Sequence, residues 1–216
     1  MNYDQLINFF IQMPAILIVI TIHEFTKAAT STLFGDVAPK NDKRLTLNPF
    51  KHFEPIGFIF ILLLGFGWGK PVRTSGVYYK NRKFATIITY TMPIIVNLIF
   101  AFLFVLVGST VNYFQFQFRI MPSEVYEIVI FFIVALIRVN ISIAIFNLIP
   151  VAPLCGNKIV MALMSPNEAL KMTHYEKIFQ IILVFLLGMG LISKFIDPII
   201  NEVLMSFKYI SSLILF

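Results

Sequence analysis

The run Leu6-Ile-Asn-Phe-Phe-Ile-Gln-Met-Pro-Ala-Ile-Leu-Ile-Val-Ile-Thr-Ile22, followed without interruption by His23-Glu24-Phe25-Thr26-Lys27, decides the fold. A bilayer core takes about 20 helical residues. The apolar part nearly reaches that length, and a helix continued through the polar cluster to Phe34 completes it. Gly35-Asp36 then reads as the stop. His23, Glu24 and Lys27 therefore stand at one end of a membrane helix. Ionisable groups inside a membrane are costly and mark functional sites. The plainer alternative is a helix that ends there, with its charges in water.

The remainder of the chain agrees with a lipid solvent. Of the 216 residues 58% are hydrophobic and 13% charged, against about 25% charged in soluble domains. The mean hydropathy is +0.85. Further apolar runs cover Ile56 to Trp68, Phe84 to Asn112, Val125 to Ile149, Tyr175 to Ile192 and, more weakly, Pro198 to Phe216. The expected architecture is an all-α polytopic membrane protein with about five to six membrane helices in a single domain spanning residues 1–216. The run Ile56 to Trp68 is the exception: it is short and contains Gly57, Gly65 and Gly67, with Gly69 just beyond. Basic loops flank it on both sides (Lys40, Lys43, Arg44 and Lys51 before; Lys70, Arg73, Lys80, Arg82 and Lys83 after). Cationic loops stay cytoplasmic, so this run is expected to be re-entrant or sheet-like, dipping in from the cytoplasm under cover of protein. The net charge of +6 follows from these loops and reads as topology rather than nucleic-acid binding. Cys155 is the only cysteine, which excludes an internal disulfide. Met1 to Asp4 has no basic n-region, so a cleaved signal peptide is not expected.

A second polar constellation closes the fourth run: Asn147-Leu-Ile-Pro150-Val-Ala-Pro153-Leu-Cys155-Gly156-Asn157. Two prolines three residues apart break the helix, and the freed carbonyls and polar tips are expected to line a cavity. An ordinary proline-rich helix exit would look the same. Arg138, midway along that run, is an isolated intramembrane cation, expected to pair with Glu24 or to snorkel. His52 and His174 read as loop histidines in water.

Taken together, these stretches resemble the site-2 protease family of intramembrane zinc metalloproteases, in its short bacterial form. His23-Glu24-Phe25 stands where that family has His-Glu-Phe-x-His. Leu45 to Gly57 and Phe66 to Val72 are similar to its two following segments. Asn147 to Gly156 is similar to its Asn-x-x-Pro-x-x-Pro-Leu-Asp-Gly element. The resemblance runs in order from the first helix to about Ile159. It implies zinc as cofactor, Glu24 as the base that activates a zinc-bound water, and a groove for transmembrane segments involving Asn97, Asn147, Pro150 and Pro153. The basic loops that follow the first helix place this site on the cytoplasmic side.

The departures fall on the ligands. Of the two histidines and one aspartate implied by the resemblance, only His23 is present; Lys27 and Cys155 hold the other two places, and Pro93 replaces the glycine of Gly-x-x-x-Asn97. A thiolate is a good zinc ligand, whereas an ammonium has donors and no lone pair. Cys155 as a small apolar filler reads equally well. Lys27 is expected to fill the metal's space and neutralise Glu24. The expected function is therefore a metal-free pseudoprotease that binds transmembrane helices, with lipid and membrane segments as partners. The alternative is an active endopeptidase rewired through His23, Cys155 and Glu24. A transport role has less to support it, since no inverted repeat is visible.

Overall fold

The structure, a computed structural model, describes the backbone of residues 3–64 and 68–215 and the side chains of residues 10–63 and 68–215. Nine helices and one 3-10 turn follow one another among the described residues, with no strand: α1 (Tyr3–Leu33), α2 (Ala38–Asn41), α3 (Pro49–His52), α4 (Pro55–Leu64), the turn Gly76–Tyr78, α5 (Arg82–Phe118), α6 (Ser123–Phe146), α7 (Cys155–Leu163), α8 (Pro166–Gly188) and α9 (Leu191–Leu215). Four of these are long and apolar enough to cross a membrane: α1 from Phe10, α5, α6 and α9.

Two sequence expectations are corrected here. Among the described residues the span count by length and composition is four, below the five to six expected. The run read as a fifth span begins earlier, because Ser165 and Glu168 form a capping box that starts α8 at Pro166. At its other end α8 stops at Gly188, short of Ile192, so every 18-residue stretch of it holds at least three of Glu168, Lys171, Glu176 and Lys177. The weaker last run meets the criteria instead, as α9. The second correction is that the sheet-like reading of Ile56 to Trp68 gives way to a helix, α4. A short apolar run without alternation cannot be told from a helix by periodicity. As a helix it satisfies its own backbone polar groups. With 10 residues, α4 rises only about 15 Å, too little to cross. Gly65, Phe66 and Gly67 lie outside the described residues. The two flanks of this segment nonetheless meet: Lys70 N–H donates to the His52 carbonyl at 2.8 Å, and Gly57 packs directly against the carbonyl of Trp68.

Helices α1, α5 and α6 pack mutually and form the centre. Two apolar clusters share α6. One joins it to α1 and α4 through Ala15, Val19, Phe58, Ile61, Leu136 and Val139. The other joins it to α5, α8 and α9 through Ala101, Ile133, Ile137, Leu187, Ile196 and Ile200. Outward faces carry large exposed apolar side chains such as Ile99, Phe116, Phe185 and Phe195, as expected of surfaces solvated by lipid.

The polar end of α1 is tied to the loop before α5. Gly35, at φ +98°, stops the helix at the predicted place. The next residue, Asp36, is fully buried. Its carboxylate accepts from Ser31 Oγ at 2.6 Å, Ser75 N–H at 2.7 Å and Ala38 N–H at 2.9 Å. The Tyr79 hydroxyl completes the knot on Ser31 at 2.7 Å. Three donors converging on a buried carboxylate–hydroxyl pair leave little freedom, and so they fix the height at which the 69–75 loop crosses α1.

Candidate metal centre

His23, Glu24 and Lys27 face inward from α1, each at most 4% exposed. They line a small cavity with Trp68, Asn147, Pro153 and Leu154, where room remains for about one water molecule. His23 is oriented through a chain of amides that ends on a backbone carbonyl. Asn140 Nδ2 donates to the Leu136 carbonyl at 2.7 Å, Asn97 Nδ2 donates to Asn140 Oδ1 at 2.9 Å, and Asn97 Oδ1 faces His23 Nδ1 at 2.8 Å. With both amides spoken for, Asn97 Oδ1 must accept, so Nδ1 carries the proton and Nε2 keeps its lone pair. Pro93 lies one turn earlier inside α5 and leaves Asn97 in register for this contact.

Nε2 points at Cys155. The Sγ atom lies 3.5 Å away, and the residue is fully buried. Burial pushes its thiol up to about 11, against a smaller opposing pull from Lys27. A protonated thiol donating to Nε2 completes the chain from the Leu136 carbonyl to sulfur. Asn147 places the cysteine. Its Nδ2 donates to the Ile143 carbonyl at 3.0 Å, while its Oδ1 accepts Cys155 N–H at 3.3 Å and its carbonyl accepts Gly156 N–H at 2.7 Å. The loop through Pro150 and Pro153 is thus clamped at both ends. A Cβ on Gly156 would collide with the Leu148 carbonyl oxygen and lie 2.6 Å from that of Ile149. Gly156→Ala is therefore expected to cost about 2 kcal/mol or more of stability, the scale of a rigid overpacking. A lowered unfolding midpoint of the detergent-purified variant is the measurement, and an unchanged midpoint would contradict this backbone approach.

The third side of the cavity is an ion pair. Lys27 Nζ lies 2.8 Å from Glu24 Oε1, both side chains at most 5% exposed. Glu24 Oε2 accepts Val72 N–H at 2.8 Å, and Lys27 lies 5.9 Å from the centre of the Tyr90 ring. Both carboxylate oxygens are thus engaged. Catalytic zinc takes three protein ligands and an open position for water. Here His23 Nε2 and Cys155 Sγ are ligand-type atoms, while the Glu24 oxygens, of ligand type as well, are engaged by Lys27 and Val72 N–H. The remaining place holds an ammonium, without a lone pair, fastened to the carboxylate that would activate the water. This donor set does not fit that metal.

The structure thus brings His23, Glu24, Lys27, Asn97, Asn147, Pro153 and Cys155 together, while Pro150 is exposed on the outer side of its loop. One expectation fails, and one of the two alternatives for Arg138 is set aside. His52 is buried rather than solvated, because its Nε2 meets the Thr46 carbonyl at 2.8 Å and Arg44 lies against its Nδ1. Desolvation holds its pKa below the ordinary histidine value. Arg138 does not pair with Glu24, whose oxygens are taken by Lys27 and Val72. His174, by contrast, is exposed as expected. Sequence reasoning passed over Asn140 and the Val72 N–H. An asparagine inside an apolar run is a visible signal; a backbone donor from a loop 48 residues away is not.

No protein-family model and no solved structure matches the chain. Among curated proteins, "Putative zinc metalloprotease YwhC" of Bacillus subtilis (strain 168) is 32% identical over 200 residues, covering 88% of this chain and 87% of the relative. At that identity and coverage, the chain belongs to the metalloprotease family of this relative.

Proposed function

We propose that the chain is a multi-pass, metal-free member of its family that binds transmembrane segments without cleaving them, with its polar site facing the cytoplasm. The observation that carries this reading is the buried Lys27–Glu24 pair. It puts a fixed positive charge where the resemblance calls for a zinc ligand, and it occupies the general base. Catalysis of the family's kind needs a polarised water beside a free carboxylate. A preserved helical frame around a neutralised centre retains binding and loses chemistry. Elemental analysis of detergent-purified wild-type protein tests it: well under stoichiometric zinc is expected. About one zinc per chain, lost on Cys155→Ala, would overturn the reading in favour of the rewired site of His23, Cys155 and Glu24.

The orientation follows from the basic loops on either side of α4, and it is supported by the meeting of the two flanks of that segment. Single cysteines introduced as Lys43→Cys and Arg82→Cys are expected to react with membrane-impermeant thiol reagents from the same, inner face. Labelling from opposite faces would remove the re-entrant placement of α4.

A further inference from the structure

A second cavity, of about 380 Å³, lies between α1, α4, α6 and α9. It adjoins the first: Ile16 and Val139 line it, while Ile20 and Ile143, each one turn further along the same helices, line the other. Its polar lining is Gln12, Arg138, Ser142, Asp197 and Asn201. Arg138 and Ser142 are one turn apart on α6, and Asp197 and Asn201 one turn apart on α9, so two helix faces present polar groups across the same space. Among the described residues no ion pair joins Arg138 to Asp197, and none of the five side chains is held by a hydrogen bond to another group. Arg138, Asp197 and Asn201 are exposed although they lie within helices apolar enough to cross a membrane.

The cost of placing these groups at membrane depth asks for a ligand. Its chemistry is constrained by the lining. The charges sum to zero, so a carboxylate gains from Arg138 what it loses to Asp197, and an ammonium does the reverse. A neutral group with an acceptor at one end and donors at the other gains from both. Arg138 offers a fork of donors, Asp197 offers two acceptor oxygens, and the amides and hydroxyl serve either role. A carboxamide has this pattern. The exposed residues open the cavity sideways, toward lipid, which selects a membrane-embedded source for it.

We infer that this cavity is a docking site for a transmembrane helix bearing an asparagine or glutamine side chain, whose carbonyl accepts from Arg138 and whose amide donates to Asp197. The inference rests on the reading that the chain engages transmembrane segments, and it is independent of the state of the metal centre.

Binding by energy transfer in lipid vesicles tests it, with three synthetic transmembrane peptides of Leu and Ala that carry Leu, Asn or Asp at the central position. The Asn peptide is expected to bind wild-type protein about tenfold more tightly than the Leu peptide, from two interhelical hydrogen bonds. Arg138→Met and Asp197→Leu should each bring that ratio to near one. Asn201→Leu, at the rim, should lower it part of the way and serves as the second variant should either charge replacement fail to fold. Equal binding of Leu and Asn peptides to wild-type protein would overturn the inference and leave general binding of transmembrane segments intact. Tighter binding of the Asp peptide than of the Asn peptide would overturn it in favour of an anion site. Failure of all three to bind would overturn both the inference and the reading it rests on.

Discussion

The double variant Lys27→His/Cys155→Asp is expected to bind about one zinc ion per chain, whereas wild-type protein and both single variants bind well below that level. Positions 23 and 27 are one helical turn apart, so two imidazoles there converge. Cys155 Sγ already lies 3.5 Å from His23 Nε2, so a carboxylate at position 155 enters the same space. The support that a histidine ligand needs, a hydrogen bond fixing its far nitrogen, is in place: Asn97 and Asn140 hold Nδ1 protonated and leave Nε2 free. Removing Lys27 also releases Glu24 Oε1, while Val72 N–H still holds Oε2. Each single variant fails for its own reason. Cys155→Asp adds a carboxylate next to an ammonium that still fills the third place. Lys27→His leaves a sulfur that burial keeps as a thiol until a metal strips its proton. Zinc stoichiometry of the four proteins after gel filtration decides it. A folded double variant without zinc would mean that the end of α1 and the start of α7 do not face each other as described.

How much of this was legible in the sequence depended on whether a signal was local. The extent of α1, its stop at Gly35 and its polar end could be read from hydrophobicity and punctuation, because a membrane helix declares itself over its own length. The pairing of Lys27 with Glu24 was legible for the same reason, since residues three apart on one helix meet without help from the fold. The helical state of Pro55–Leu64 was not. An apolar run with glycines around it fits a strand or a short helix, and its choice is made by α1 and α6, against which Phe58 and Ile61 are buried. The start of α8 was missed because a capping box outweighs the loss of hydrophobicity at Glu168 and Lys171. The role of Asn97 changed most. The resemblance assigned it to a substrate groove; the structure sets it on His23, where its amide joins the ring on α1 to Asn140 and the Leu136 carbonyl on α6. His52 was misread because burial of a loop histidine depends on which carbonyl and which arginine the loop brings to it. Contacts at long sequence separation are not written in any one segment.

Glu24→Gln is expected to destabilise the protein by about 3–5 kcal/mol, the cost of leaving one member of a buried ion pair without its counter-charge. The substitution is nearly isosteric, so packing is not the cause. Glu24 uses both oxygens as acceptors, one for Lys27 at 2.8 Å and the other for Val72 N–H at 2.8 Å. A carboxamide has one acceptor and one donor end. Whichever way it turns, either the ammonium or the amide N–H faces another donor in a site at most 5% exposed. Adding Lys27→Met removes the charge that needs a partner, and the glutamine carbonyl can then turn to Val72. The double variant Glu24→Gln/Lys27→Met is therefore expected to regain most of the loss and to lie far from the sum of the singles, since contacting residues couple strongly. Unfolding midpoints of the four proteins in one detergent measure this coupling. In a zinc-loaded site Glu24 would be a free base beside a bound water, and neutralising it would cost little stability. A small, additive effect of Glu24→Gln would thus count against the ion pair as the element that holds this centre together, whereas a large effect rescued by Lys27→Met requires the two charges to rely on each other.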